Sequence, residues 1–182
     1  MAKSDRPNAV VLQLVSNSEP SLTLDEIYRR YGRYVAAIIL RLDGHATEVD
    51  DLVQDVFVEA TAGIARLRDA EAIRGWLATI AVRTVRRRLR LRKVRRFLGL
   101  DRDIAEAGLA AHVVSPMDRL LLRAVYRVLD GMSVEDRLAF SLHTIEGETL
   151  DEVAKLCDCS LATAKRRVAR AQFMIEQRLS DG

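Results

Sequence analysis

Apolar residues recur three and four positions apart through nearly all of this 182-residue chain, and strict apolar–polar alternation is absent over any useful length. That spacing is the mark of amphipathic helices and argues against a sheet. Helix starts punctuate it. Thr23-x-x-Glu26 and Thr149-x-x-Glu152 have the form of capping boxes, in which two side chains satisfy backbone N–H groups that a first turn leaves open. Thr47-x-x-Asp50 and Ser133-x-x-Asp136 are weaker versions, Ser115-Pro116 sets a cap before proline at the first helical position, and Ser160 can cap one more. Asp43-Gly44 reads as a stop.

The first expected helix carries Ile27, Tyr31, Tyr34, Val35, Ile38 and Leu42 on one side. The second carries Val49, Leu52, Val53, Val56, Phe57 and Ala60, with Asp50, Asp51, Gln54, Asp55 and Glu59 opposite. A third begins near Glu71 and turns Ile73, Trp76, Leu77, Ile80 and Ala81 inward. Its stripe is clean to about Val85 and then loosens. Residues 98–114 mix Gly, Asp and Ala without a period and read as a linker. The expected fold class is therefore all-α: two small helical domains, residues 21–97 and 115–182, joined by a 98–114 linker and preceded by a flexible arm at 1–20.

Formal net charge is only +3, so the chain is not uniformly basic. Its cations are concentrated at 83–96 and 165–170, while 48–59 is acidic. Separation of this kind suggests different partners for different surfaces. The two cysteines, Cys157 and Cys159, flank a single residue, and the three histidines lie far away. A bridge that short is strained, and no ligand spacing for a metal is formed. The expectation is a reducing cytoplasmic setting with Cys157 as a small buried hydrophobe, no metal and no cofactor. No apolar run approaches the ~20 residues that span a bilayer, and no clear secretory cleavage site follows the short patch at 9–15. The sequence contains no P-loop, nucleophile elbow or paired acid and base, so no catalytic residues are expected.

The stretch TLDEVAKLCDCSLATAKRRVARAQFMIEQRL carries the clearest motif. A short helix at 150–157 buries Leu150, Val153, Ala154 and Cys157. Asp158 takes the place of the usual turn glycine, and aspartate tolerates the left-handed conformation better than most residues. Ser160 caps a second, strongly basic helix. This is a helix-turn-helix pattern. At about 100° per residue, Leu161, Ala164, Val168, Ala171 and Ile175 share one narrow sector. Arg166 points nearly opposite, with Ala162, Ala169 and Arg170 in the same outward sector, Thr163 at its edge, and Lys165 and Arg167 on its flanks. A major groove admits such a helix, its centre reading base edges and its flanks touching phosphates.

The other basic stretch, RTVRRRLRLRKVRR at 83–96, holds nine cations in fourteen residues and no acid. Alone it fits a solvated charge run, a membrane-surface patch or a nucleic-acid grip. Its attachment to a packed helix gives the cations fixed directions. A stand-alone DNA-binding regulator would leave the acidic helix at 48–59 without a purpose. An RNA-binding or membrane-surface protein would leave the capped helix after Ser160 without one.

From Leu24 to Leu179 the chain resembles a bacterial RNA polymerase sigma factor of the extracytoplasmic-function type. Three stretches carry the likeness: DDLVQDVFVEA at 50–60, IRGWLATIA at 73–81 leading into the basic run, and GETLDEVAKLCDCSLATAKRRVARA at 147–171. The resemblance implies binding to core RNA polymerase, with Asp51, Gln54 and Asp55 on its clamp and 115–142 near its flap. It implies contact with the −10 promoter element through Arg83, Arg86, Arg87 and Arg90, and with the −35 element through Ala162, Thr163, Lys165, Arg166, Arg167, Ala169 and Arg170. It also implies a flipped base held by the loop at 66–74, while Trp76 at its spacing is expected in the core. Many such proteins are held by a separately encoded anti-sigma partner. The chain departs from the pattern where Val82-Arg83 and Arg87 replace the Arg-Asn and Asp common in the melting segment, and where Gly131-Met132 replaces a Leu-Pro.

Overall fold

A computed structural model describes residues 23–63, 72–100 and 116–180. They form α1 (Leu24–Asp43), a 3-10 turn (Ala46–Glu48), α2 (Val49–Gly63), α3 (Ile73–Phe97), α4 (Pro116–Gly131), α5 (Val134–Phe140), a π turn (Ser141–Ile145), α6 (Leu150–Leu156) and α7 (Leu161–Ser180). Among the described residues there is no strand. The expected arm at 1–20, Ser115 and most of the linker lie outside them.

Four of the expected caps form at least in part, whereas Thr47 falls inside the 3-10 turn instead of capping α2. At α1 the backbone N–H of Glu26 donates to Thr23 Oγ1 at 3.3 Å and that of Thr23 donates to Glu26 Oε2 at 2.7 Å, a complete box. Thr149 accepts from the Glu152 N–H at 3.2 Å, but the Glu152 carboxylate turns to Lys155 instead, so that box is half formed. Ser133 and Ser160 accept from Asp136 and Thr163 at 3.1 and 3.2 Å. Asp158 is left-handed at φ 52°, as the turn between α6 and α7 requires.

α1, α2 and α3 pack around Val35, Leu42, Val56, Ala60, Leu77, Ala81 and Val85, all fully buried. α5, α6 and α7 close over Leu138, Val153, Ala164 and Val168. These two groups share one continuous core, because α5 lies against α3, where Val134 and Leu89 line the same small cleft. This is why the α3 stripe carries on past Val85, where the sequence shows it loosening: Leu89 and even Arg92 remain buried. A smaller cluster under α4 joins Tyr126, Leu129 and Met132 to Phe140, Ala171 and Ile175. Trp76 is half-buried and packs on the core beside Gly63, where an added Cβ would meet its ring at 2.7 Å. Cys157 is buried as expected, and burial raises its thiol pKa above the ordinary value.

Candidate nucleic-acid and polymerase interfaces

Periodicity alone decides which face α7 shows. Ala164, Val168, Ala171 and Ile175 go into the core, so Ala162, Lys165, Arg166, Ala169 and Arg170 are left exposed, with Thr163 and Arg167 half-buried at the edges. Ser160 Oγ lies 2.9 Å from Thr163 Oγ1, and Arg166 Nη2 donates to that same hydroxyl at 3.3 Å. Arg170 Nη1 donates to Asp136 Oδ2 on α5 at 3.3 Å. The seven residues singled out on this helix therefore form one surface, with Arg166 at its centre and Arg170 braced from behind.

α2 turns Asp51, Gln54 and Asp55 to solvent in one row, since Leu52, Val53, Val56 and Phe57 take the inward side. Val58 continues that row and is 69 % exposed. Sequence reasoning passed over it, although an apolar residue on an otherwise acidic face was there to be seen. Across from α2, a cleft of about 180 Å³ is lined by Glu48, Asp51, Leu52, Asp55, Thr84, Arg87, Arg88 and Leu91. The Arg87 guanidinium stands 3.7 Å from the Asp55 carboxylate, both well exposed.

The basic run is not one surface. Arg83 and Arg87 are exposed. Arg90 is exposed but donates to Glu135 Oε1 on α5 at 2.6 Å. Arg86 is half-buried beside Cys157, the residue that follows α6. Arg88 pairs with Glu48 through both ends of its fork. Arg92 leaves the surface altogether: its Nη2 donates to both Asp43 oxygens at 2.9 and 3.0 Å. His45 completes this knot, with Nδ1 2.8 Å from the Asp43 carbonyl and 3.4 Å from the Asp43 carboxylate. Burial alone would raise the Asp43 carboxyl, but His45 and Arg92 outweigh it and hold it below its usual range.

Of the expected base-holding loop at 66–74, residues 66–71 lie outside the described part. Arg74 stacks over the Tyr34 ring with its guanidinium carbon 4.5 Å from the centroid. Among the described residues no group of three or more His, Cys, Asp or Glu side chains could hold a metal ion. No helix among them is long and apolar enough to cross a membrane.

Two independent likenesses bear on this arrangement. Residues 27–96 match Sigma-70 region 2 and residues 122–171 match Sigma-70, region 4. The RNA polymerase sigma factor NccH of Alcaligenes xylosoxydans is 30 % identical over 151 residues, 81 % of each chain. The chain belongs to the RNA polymerase sigma factors, in their extracytoplasmic-function branch. The ECF RNA polymerase sigma-E factor of Escherichia coli is 29 % identical over 160 residues, covering 82 % of this chain and 83 % of that one. The fold agrees with the sigma factor RpoE of Bartonella quintana, solved in complex with the anti-sigma factor NepR, at a TM-score of 0.65 and 22 % identity, over 86 % of this chain and 96 % of the other. A sigma factor of this type binds core RNA polymerase and directs it to specific promoters to begin transcription. In this sigma factor the region 2 match ends at the last arginine of the basic run, and the region 4 match ends within α7, so both charged faces fall inside it.

Proposed function

We propose that this sigma factor divides its work among three faces of two domains, 21–97 and 115–182. Asp51, Gln54 and Asp55 of α2 dock on the polymerase clamp, and Val58 beside them adds an apolar contact. Arg83, Arg86, Arg87 and Arg90 of α3 follow the phosphates of the strand displaced at the −10 element, where cations along a helix offset the cost of holding an unstacked strand. Ala162, Thr163, Lys165, Arg166, Arg167, Ala169 and Arg170 of α7 enter the major groove at the −35 element. There an arginine fork matches guanine O6 and N7.

The observation that carries this reading is the adjacency of α2 and α3. Arg87 faces Asp55 across one cleft. A polymerase seated on the acids would therefore hold DNA directly against the arginines. The protein works by positioning and performs no bond chemistry itself; it acts in the cytoplasm, where its polymerase is. A separately encoded anti-sigma factor, of the kind seen with RpoE of Bartonella quintana, restrains it.

Transcription in vitro with purified core polymerase tests the reading. The expected result is initiation at a discrete set of start sites that core polymerase alone does not use. Replacing Asp51 and Asp55 by arginine should abolish recovery of polymerase in a pull-down while the fold survives. Undiminished recovery would return the α2 face to solvent.

A further inference from the structure

A buried acid stands behind the outward face of α7. Ser133 caps α5, and its Oγ accepts from the Asp136 N–H at 3.1 Å, which fixes the first turn of that helix. An acidic residue is favoured there by the open N–H groups of the turn. Because α5 lies against α7, the Asp136 side chain meets that helix and not water: it is 6 % exposed. Its Oδ2 accepts from Arg170 Nη1 at 3.3 Å. Among the described residues Arg170 is the one side chain that partners this carboxylate.

The two ends of this pair differ. The carboxylate is enclosed on a capped turn and has little freedom to move, whereas the Arg170 side chain is 60 % exposed. One guanidinium nitrogen is engaged, and among the described residues no acceptor takes the other two, so Nε and Nη2 remain for a ligand. Guanine O6 and N7 take two donors held in one plane. Arg166, at the centre of the same face, is placed otherwise: it donates at 3.3 Å to Thr163 Oγ1 of its own helix, in an exposed contact. We infer that Asp136 is a positioning residue for −35 recognition. Without touching DNA, it holds the Arg170 fork in the orientation that reads one guanine, and so sets specificity at one base pair. This inference rests on reading α7 as the −35 helix.

Two effects turn the anchor into specificity. An unanchored arginine must be ordered before it pairs with a base, and that ordering is subtracted from the affinity for the right sequence. It can also swing to a phosphate, which every sequence offers, and so supports binding to the wrong one. Held by Asp136, the fork is ordered in advance and the swing is denied. Discrimination is a difference of affinities, and it gains from both.

The test uses holoenzyme made from core polymerase and the full chain. Competition binding compares promoters in which each −35 base pair is changed in turn, and one scrambled throughout that element. Arg170→Ala identifies the base pair that Arg170 reads. Asp136→Ala is expected to lose about tenfold of the discrimination at that same base pair, within the reach of one bidentate arginine–guanine contact. Discrimination at the other −35 base pairs should stay, and affinity for the scrambled promoter should not fall. Added to Arg170→Ala, Asp136→Ala should cost no further discrimination. Ratios between promoters cancel the even electrostatic gain from removing one acid. A cooperative thermal transition confirms folding; if Asp136→Ala does not fold, Asp136→Asn, which keeps the side chain's shape and gives up its charge, reads the same pattern with a smaller loss. An even fall at every base pair would mean that Asp136 only supports the fold. An unchanged profile, while Arg170→Ala still loses its base pair, would mean that Arg170 orients itself. Either result overturns the inference alone. If Arg170→Ala also leaves every base pair equally well read, the reading of Arg170 as a base contact falls with it.

Discussion

Arg92 and Asp43 form a buried ion pair between α3 and the end of α1, the guanidinium 5 % exposed and the carboxylate fully enclosed. Two charges so placed need each other. Removing one strands the other in a medium that cannot solvate it, which typically costs about 3–5 kcal/mol. Arg92→Ala should lower the unfolding free energy from urea melts by that order, whereas Arg95→Ala, on the exposed side of the same turn, should leave it nearly unchanged. Equal effects in the two variants would show that Arg92 is solvated in solution.

His45 makes part of that stability depend on pH. Its hydrogen bond to Asp43 raises its pKa above the ordinary 6.5, against an opposing effect of burial and of Arg92. A raised folded pKa means that the protonated ring stabilises the native state. That contribution is fully present below about 6.5 and is lost as pH rises through the folded value. Asp43 works the other way: its depressed pKa gives stability that is present above 3.8 and lost as pH falls through the folded value. Urea melts of the wild type above pH 6.5 should therefore show a decline that His45→Gln removes. Parallel curves for the two proteins would contradict it.

Gly44 predicts a two-part cost. It is left-handed at φ 75°, where other residues pay about 1–2 kcal/mol, and its absent Cβ is the space that Tyr126 fills. Gly44→Ala should lose both parts. Combining it with Tyr126→Ala should give a destabilisation smaller than the sum of the single changes, since the clash is then gone and only the backbone cost remains. Strict additivity in denaturant melts would mean that the two residues do not meet.

On α7, Arg166→Ala should weaken binding to cognate −35 duplex by roughly 1–3 kcal/mol and barely change binding to a scrambled duplex. Lys165→Ala should reduce both evenly and flatten the salt dependence by about one phosphate's worth. Arg170 is shared with Asp136, so Arg170→Ala also unpairs a buried carboxylate and should lower stability as well. Competition binding on the two duplexes, with a parallel melt, separates these effects.

What could be read from the chain follows a physical line. The α7 surface was legible because one helix with a cap and a stripe decides its own outward face. The α2 acids were legible for the same reason. The joint between the halves was not. Tyr126 and Arg137 bind backbone carbonyls, and a carbonyl leaves no trace in a residue pattern. Arg92 was half visible: it continues the inward stripe of Val85 and Leu89, but a cation at that position reads as the stripe ending until Asp43 is seen beneath it. The run at 83–96 turns about its helix and meets three different neighbours, none of which its own residue pattern displays.

That division sharpens the last prediction. Arg86 meets Cys157 and Arg90 meets Glu135 of α5, so replacing them mixes any DNA effect with loosening of the packing against α3. Arg83 and Arg87 are exposed, and the Arg87–Asp55 pair at 3.7 Å is too solvated to matter for stability. Arg83→Gln with Arg87→Gln should spare the fold and the recovery of polymerase. Closed-complex affinity should fall moderately, since phosphate contacts serve duplex and single strand alike. Open-complex formation should fall further, because a displaced strand loses the cations that hold it. A template already unpaired by mismatches at the −10 region should restore part of the activity, as melting then no longer depends on the protein. Permanganate reactivity of unpaired thymines reports the outcome directly. Wild-type reactivity in the double variant would show that these two arginines belong to solvent and that melting is driven from elsewhere on the polymerase.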